Sequence, residues 1–187
     1  MPIKITYINK DINEYNSFEE IINCNLVSKI NCSNNQLTSL PDNMNFPNLQ
    51  VFDFTDNKLT ILPNNMNFPN LHEFLCANNK LTSLPDNMNF PNLLILYCTD
   101  NELTSLPNNM NFPNLQELIC NDNKLTSLPD NMNFPNLKEF CCSYNKLTSL
   151  PECILNFKNL HHNNNEIDLS LQIIKGENAR ERKKKKD

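Results

Sequence analysis

Eight cysteines and three histidines are the side chains of this chain that could serve as nucleophiles, redox centres or metal ligands. Zinc is held by three or four such groups brought close together, and a catalytic cysteine needs a base beside it. The spacing argues against both. Cys32, Cys76, Cys98, Cys120 and Cys142 stand 22 residues, or twice 22, apart, and no C-x-x-C pair occurs. A residue recurring at that period marks a position in a repeated unit. Cysteine packs well as a small apolar side chain, so these thiols read as core filler. Cys141 and Cys142 are adjacent and should point to opposite faces of a strand, which makes Cys141 the thiol expected on an exposed surface, open to oxidation or labelling. His161 and His162 lie in a polar stretch beside Asn163 and read as a solvated turn. His72 stands next to Glu73 with no nucleophile in view. No catalytic residue, cofactor or metal site is expected.

Glycine tells the same story. The single one is Gly176, whereas phosphate loops, dinucleotide-binding turns and nucleophile elbows each need several glycines where the backbone turns sharply or meets a ligand. The opening Met1-Pro-Ile-Lys-Ile-Thr-Tyr-Ile contains no apolar run of signal-peptide length, and no stretch is long enough to span a membrane. The thiols are therefore expected to be free, in a reducing cytoplasmic setting. From Lys175 onward seven basic residues face three acids, a tail of +4; the overall −5 then leaves −9 on residues 1–174.

The positions that carry these residues come from a repeat. Leu-Thr-Ser-Leu-Pro begins at Leu37, Leu81, Leu103, Leu125 and Leu147, with a variant at Leu59 that has Ile61 in place of serine, each start 22 or twice 22 residues after the last. One unit reads Leu71-x-x-Phe74-x-Cys76-x-x-Asn79-x-Leu81-x-x-Leu84-Pro85, then Asp86-Asn87-Met88-Asn89-Phe90-Pro91-Asn92. The first part approaches strand alternation. The second spaces its apolar residues like an irregular or 3₁₀ return.

This pattern resembles the leucine-rich-repeat family, whose signature is L-x-x-L-x-L-x-x-N-x-L. Six units opening at Val27, Leu49, Leu71, Leu93, Leu115 and Leu137 fit it, over about residues 27–158. The Leu-Pro ending is similar to intracellular Ras-binding scaffolds and bacterial effector repeats, although the return is one residue shorter than usual. The resemblance implies an α/β-type solenoid, a right-handed horseshoe with a parallel β-sheet on its concave face and a mostly irregular or 3₁₀ convex side. It also implies a non-catalytic interaction scaffold that binds protein on the concave face.

Stacking places equal motif positions above one another, about 4.8 Å apart. The inward columns are then Val27 to Leu137, Ile30 to Phe140 and Cys32 to Cys142. The asparagines Asn35, Asn57, Asn79, Asn101, Asn123 and Asn145 should bond turn backbone of their own and the adjacent unit. The outward positions vary most between copies. Leu75, Ile95, Tyr97 and Ile119 form an apolar cluster expected to be exposed, with Glu73, Glu117, Glu139, Asp53, Asp56, Asp100 and Asp122 around it. Such a patch suits a partner with Lys or Arg about an apolar anchor, Tyr97 being the natural hot spot. Six strands span roughly 24 Å, enough for a helix of about 16 residues. Drift among duplicated repeats is the competing explanation, because strand surfaces tolerate change cheaply.

The ends need closing. Residues 1–26 are expected to cap the first repeat, through a short helix near Phe18–Asn23 with a capping box at Ser17 and Glu20. Repeats fill 27–159. Leu160 reads as the start of a further unit that fails at Asn163 and Asn165, with the alternating Ile167–Ile173 as a covering strand in a C-terminal cap, 160–175. Residues 176–187 read as a disordered basic tail, able to favour the nucleus or nucleic acid. A monomer is expected. Two other functions are weighed: the substrate-recognition part of an enzyme such as a ubiquitin ligase, and nucleic-acid association through the tail.

Overall fold

The computed structural model describes residues 1–167, apart from 8, 10, 111, 156 and 158. Among the described residues nine strands build one sheet: β1 (Ile3–Tyr7), β2 (Ile12–Tyr15), β3 (Val27–Asn31), β4 (Val51–Asp53), β5 (Glu73–Leu75), β6 (Ile95–Tyr97), β7 (Glu117–Ile119), β8 (Glu139–Cys141) and β9 (Leu160–His161). Their order is β2-β1-β3-β4-β5-β6-β7-β8-β9, and every pairing from β3 onward is parallel. Phe52, Phe74, Leu96, Leu118 and Phe140 meet in register across β4 to β8, so residues 22 apart are direct lateral neighbours.

The three inward columns are buried along the ladder except at half-buried Leu137, with Phe74, Leu96, Cys76, Cys98 and Cys120 at 0% exposure. On the return side Phe68, Phe90, Phe112 and Phe134 stack face over face, with centroids 5.8, 6.3 and 6.5 Å apart. This spine lets each unit bury its aromatic ring against the next. No unit could do so alone.

The asparagine column works as a staple between repeats. Asn101 Nδ2 lies 3.0 Å from the Cys76 carbonyl of the preceding unit and 3.2 Å from the carbonyls of Cys98 and Thr99, while its Oδ1 accepts the Leu81 N–H at 3.0 Å. Asn57, Asn79, Asn123 and Asn145 repeat the arrangement. Beside each staple the chain turns through a left-handed residue. Asn34, Asp56, Asn78, Asp100, Asp122, Tyr144 and Asn164 have φ between 51° and 56°, where Asn and Asp are the non-glycine residues best tolerated. A chain with one glycine must make its turns this way.

The N-terminal cap differs from the expected short helix. Strands β1 and β2 form an antiparallel hairpin, and β1 pairs antiparallel with β3. Ile3, Ile5 and Tyr7 all face inward and close the open end of the first repeat. Phe18–Glu20 is a single 3₁₀ turn, and Ser17 makes no side-chain cap; Glu20 accepts instead from the Asn16 N–H, at 3.0 Å. A strand wins because it satisfies the edge hydrogen bonds of β3 as well as its apolar face.

The C-terminal register also differs. Leu160 pairs with Phe140 and His161 with Cys141, so Leu160 occupies the second apolar column and does not open a unit. Asn165 falls in the staple column, accepting the Leu147 N–H at 3.0 Å and lying 2.9 Å from the Cys142 carbonyl. The unit before it is two residues shorter than the rest, since the matching bond in the other repeats joins residues 20 apart and here 18 apart. The expected covering strand beyond Ile167 and the basic tail lie outside the described residues.

Candidate functional site

Strands β5 to β8 place their first and third residues on the solvent side and their middle residue in the core, as the period of two requires. Two rows result. One runs Glu73, Ile95, Glu117, Glu139; the other runs Leu75, Tyr97, Ile119, Cys141, and then His161 on β9. Leu75, Tyr97 and Ile119 are consecutive neighbours, and Ile95 sits between Glu73 and Glu117. The four apolar residues form one patch, half-buried by their neighbours rather than exposed as expected. Side chains at strand spacing shield one another, an effect absent from a one-dimensional reading.

The charges around the patch are arranged unevenly. Glu117 and Glu139 are direct lateral neighbours, an adjacency that is unfavourable for like charges. The Tyr97 hydroxyl donates to the Glu117 carboxylate from the other side. That bond, with partial burial and the nearby carboxylates of Glu139 and Glu73, pushes the phenol up to about 12.

The aspartates separate from this group. Asp100 and Asp122 are exposed left-handed turn residues, φ 53°, and the backbone conformation by itself accounts for their type. Asp53 accepts the Thr55 N–H at 3.1 Å and Asp56 accepts from Asn78 at 2.8 Å, both within the scaffold. Glu73, Glu117 and Glu139 sit on the strands rather than in the turns; Glu117 accepts from the Tyr97 hydroxyl and Glu139 from the Cys141 thiol.

Cys141 departs from expectation. It is buried, 8% exposed, with its thiol 3.5 Å from Glu139 Oε1, because β9 covers its far side. The exposed thiol is Cys153, on the return of the sixth repeat. His161 is likewise no isolated turn residue: its imidazole, the Cys141 thiol and a Glu139 carboxylate oxygen lie within 4.8 Å of one another. The shortened sixth repeat hid this cluster, since counting a further unit from Leu160 puts His161 out of the row. Tyr144 holds the outward eighth position of the sixth repeat. It is 58% exposed and holds a left-handed φ of 54° that aromatic residues seldom adopt.

The comparisons agree with the architecture. Residues 113–152 match the sequence family described as Leucine Rich repeats (2 copies). InlP of Listeria monocytogenes is 32% identical with a TM-score of 0.66, the match covering 75% of this chain and 41% of InlP. The leucine-rich-repeat domain of a Shigella effector is 27% identical at TM-score 0.61, covering 79% of this chain and 74% of that domain. YopM from Yersinia enterocolitica is 29% identical at TM-score 0.56, covering 75% of this chain and 34% of YopM. No curated protein matches the sequence. The chain has the fold of the leucine-rich-repeat proteins, a parallel-sheet horseshoe of the kind that generally serves as a protein-interaction scaffold. It spans less than half the length of InlP and of YopM. No helix among the described residues is long and apolar enough to cross a membrane.

Proposed function

We propose that this chain is a non-catalytic scaffold whose concave face docks a basic, partly apolar segment of a partner protein. One observation carries the reading: Leu75, Tyr97 and Ile119 form a continuous apolar row directly beside Glu73, Glu117 and Glu139, two of which are unfavourably adjacent carboxylates. A partner cation between Glu117 and Glu139 would relieve that repulsion, and an apolar anchor on Tyr97 would exclude water around it. Asp100 and Asp122 lie at the end of the strands and would add long-range attraction. The protein works as a monomer in the reducing cytoplasm, in keeping with eight free thiols.

The test is affinity capture from the native cell with the wild type and with Tyr97→Ala/Ile119→Ala. Loss of a captured protein in the folded double variant supports the reading; unchanged capture refutes it. A second reading keeps the same face but makes the chain the recognition part of a larger enzyme. The similarity to an effector's leucine-rich-repeat domain, 74% of which is covered, is in keeping with a repeat array that forms one domain of a longer protein. Nucleic-acid association would run through the tail alone, and salt-dependent retention on DNA that is lost on deleting residues 180–187 would reveal it.

A further inference from the structure

We propose that Glu139, Cys141 and His161 form a binding site for zinc or a closely similar divalent transition metal at the C-terminal edge of the concave sheet. The three ligands come from two neighbouring strands. Glu139 and Cys141 are the first and third residues of β8 and therefore share a face. His161, on β9, is the direct lateral neighbour of Cys141.

The backbone beneath them is fixed by the ladder: Phe140 N–H donates to the Asn159 carbonyl at 3.0 Å, and Cys142 N–H to the His161 carbonyl at 2.7 Å. Glu139 Oε1 and Cys141 Sγ are already 3.5 Å apart. A tetrahedral zinc ion with ordinary bond lengths sets its ligand atoms about 3.3–3.7 Å from one another, so that edge needs no change. The remaining edges, within 4.8 Å, close by rotation of the His161 side chain, which is exposed.

Thiolate, imidazole and carboxylate together are a donor set for zinc, whereas magnesium and calcium prefer oxygen alone. Charge favours the same occupant. Glu117 stands directly beside Glu139, and a dication compensates both carboxylates. In the metal-free protein, burial and the Glu139 and Glu117 carboxylates keep Cys141 a thiol, pushed up to about 11. Binding forms a metal–sulfur bond and releases that proton to solvent. Three protein ligands leave a fourth position for water.

Cobalt(II) is a coloured stand-in for zinc. The reduced full-length chain, stripped with a chelator, is titrated with cobalt and then with zinc, and the thiolate-to-cobalt charge-transfer band is followed. A band with one-to-one stoichiometry, abolished by Cys141→Ser and displaced by zinc, is expected. His161→Ala and Glu139→Gln should each weaken binding by about tenfold or more, given that even outer-shell changes cost about 10–100-fold. Cys153→Ser should change nothing. Circular dichroism of each variant shows that it is folded, and His161 is exposed enough to be replaced without loss of core. No band in the wild type, a band that survives Cys141→Ser, equal affinity in His161→Ala, or a band lost in Cys153→Ser would each overturn the proposal.

Discussion

Tyr97 on β6 donates its hydroxyl to the carboxylate of Glu117 on β7, at the centre of the concave face. The bond joins the apolar row to the acidic one. It also fixes a titration. The phenol is held at about 12 against an ordinary 10.0, first through the bond to Glu117 and then through burial. Because the folded value is raised, the stability linked to this proton is full below pH 10 and is lost as pH climbs from 10 to 12. The tyrosinate difference spectrum between wild type and Tyr97→Phe should have its midpoint near 12, and Glu117→Gln should bring it back toward 10. A midpoint near 10 in the wild type would mean that the bond does not persist in solution.

The asparagine staples should be costly to remove. Asn101→Leu takes the acceptor from the buried Leu81 N–H, while the carbonyls of Cys76 and Cys98 each keep one amide, from Asn79 and Asn123; the orphaned donor should cost about 1–3 kcal/mol. Urea denaturation measures it. An unchanged midpoint would show that water replaces the amide.

How much of this was legible in the sequence depended on the period. Wherever the count of 22 held, the inward columns were assigned correctly from Leu49 to Cys142, with Leu137 half-buried, because stacking converts sequence spacing into contact. Where the count broke, the reading broke. The short sixth repeat moved Leu160 into the Phe140 column and set His161 beside Cys141. At the other end, the alternation Ile3, Ile5, Tyr7 is a strand signal, yet the Ser17–Glu20 spacing suggested a helix. The unpaired edge of β3, a tertiary feature, decided the matter. Partial shielding of Leu75, Ile95 and Ile119 depends on neighbours in adjacent units and on side-chain length, which columns of letters do not convey.

Tyr144 offers a test of the left-handed turns. Six of the seven equivalent positions carry Asn or Asp, and an aromatic residue in that conformation costs about 1–2 kcal/mol. Tyr144→Asn should therefore raise stability by about 1 kcal/mol in the same denaturation experiment. A fall in stability would assign the ring a packing role.

Thiol chemistry separates core from surface. In the native protein Cys153 should react first with a disulfide reagent, followed by half-buried Cys24. Cys76, Cys98 and Cys120, wholly buried and pushed upward by that burial, should react only on unfolding. Mass spectrometry of the labelled peptides gives the order. Early labelling of Cys98 would contradict the stacked core.

The docking face is tested most directly by selecting peptides from a random display library on the full chain. The enriched peptides are expected to carry Lys or Arg beside one or two apolar residues, and to lose binding to the folded Tyr97→Ala/Ile119→Ala variant. Enrichment of acidic peptides, or binding that the double variant retains in full, would contradict a concave face built around Tyr97.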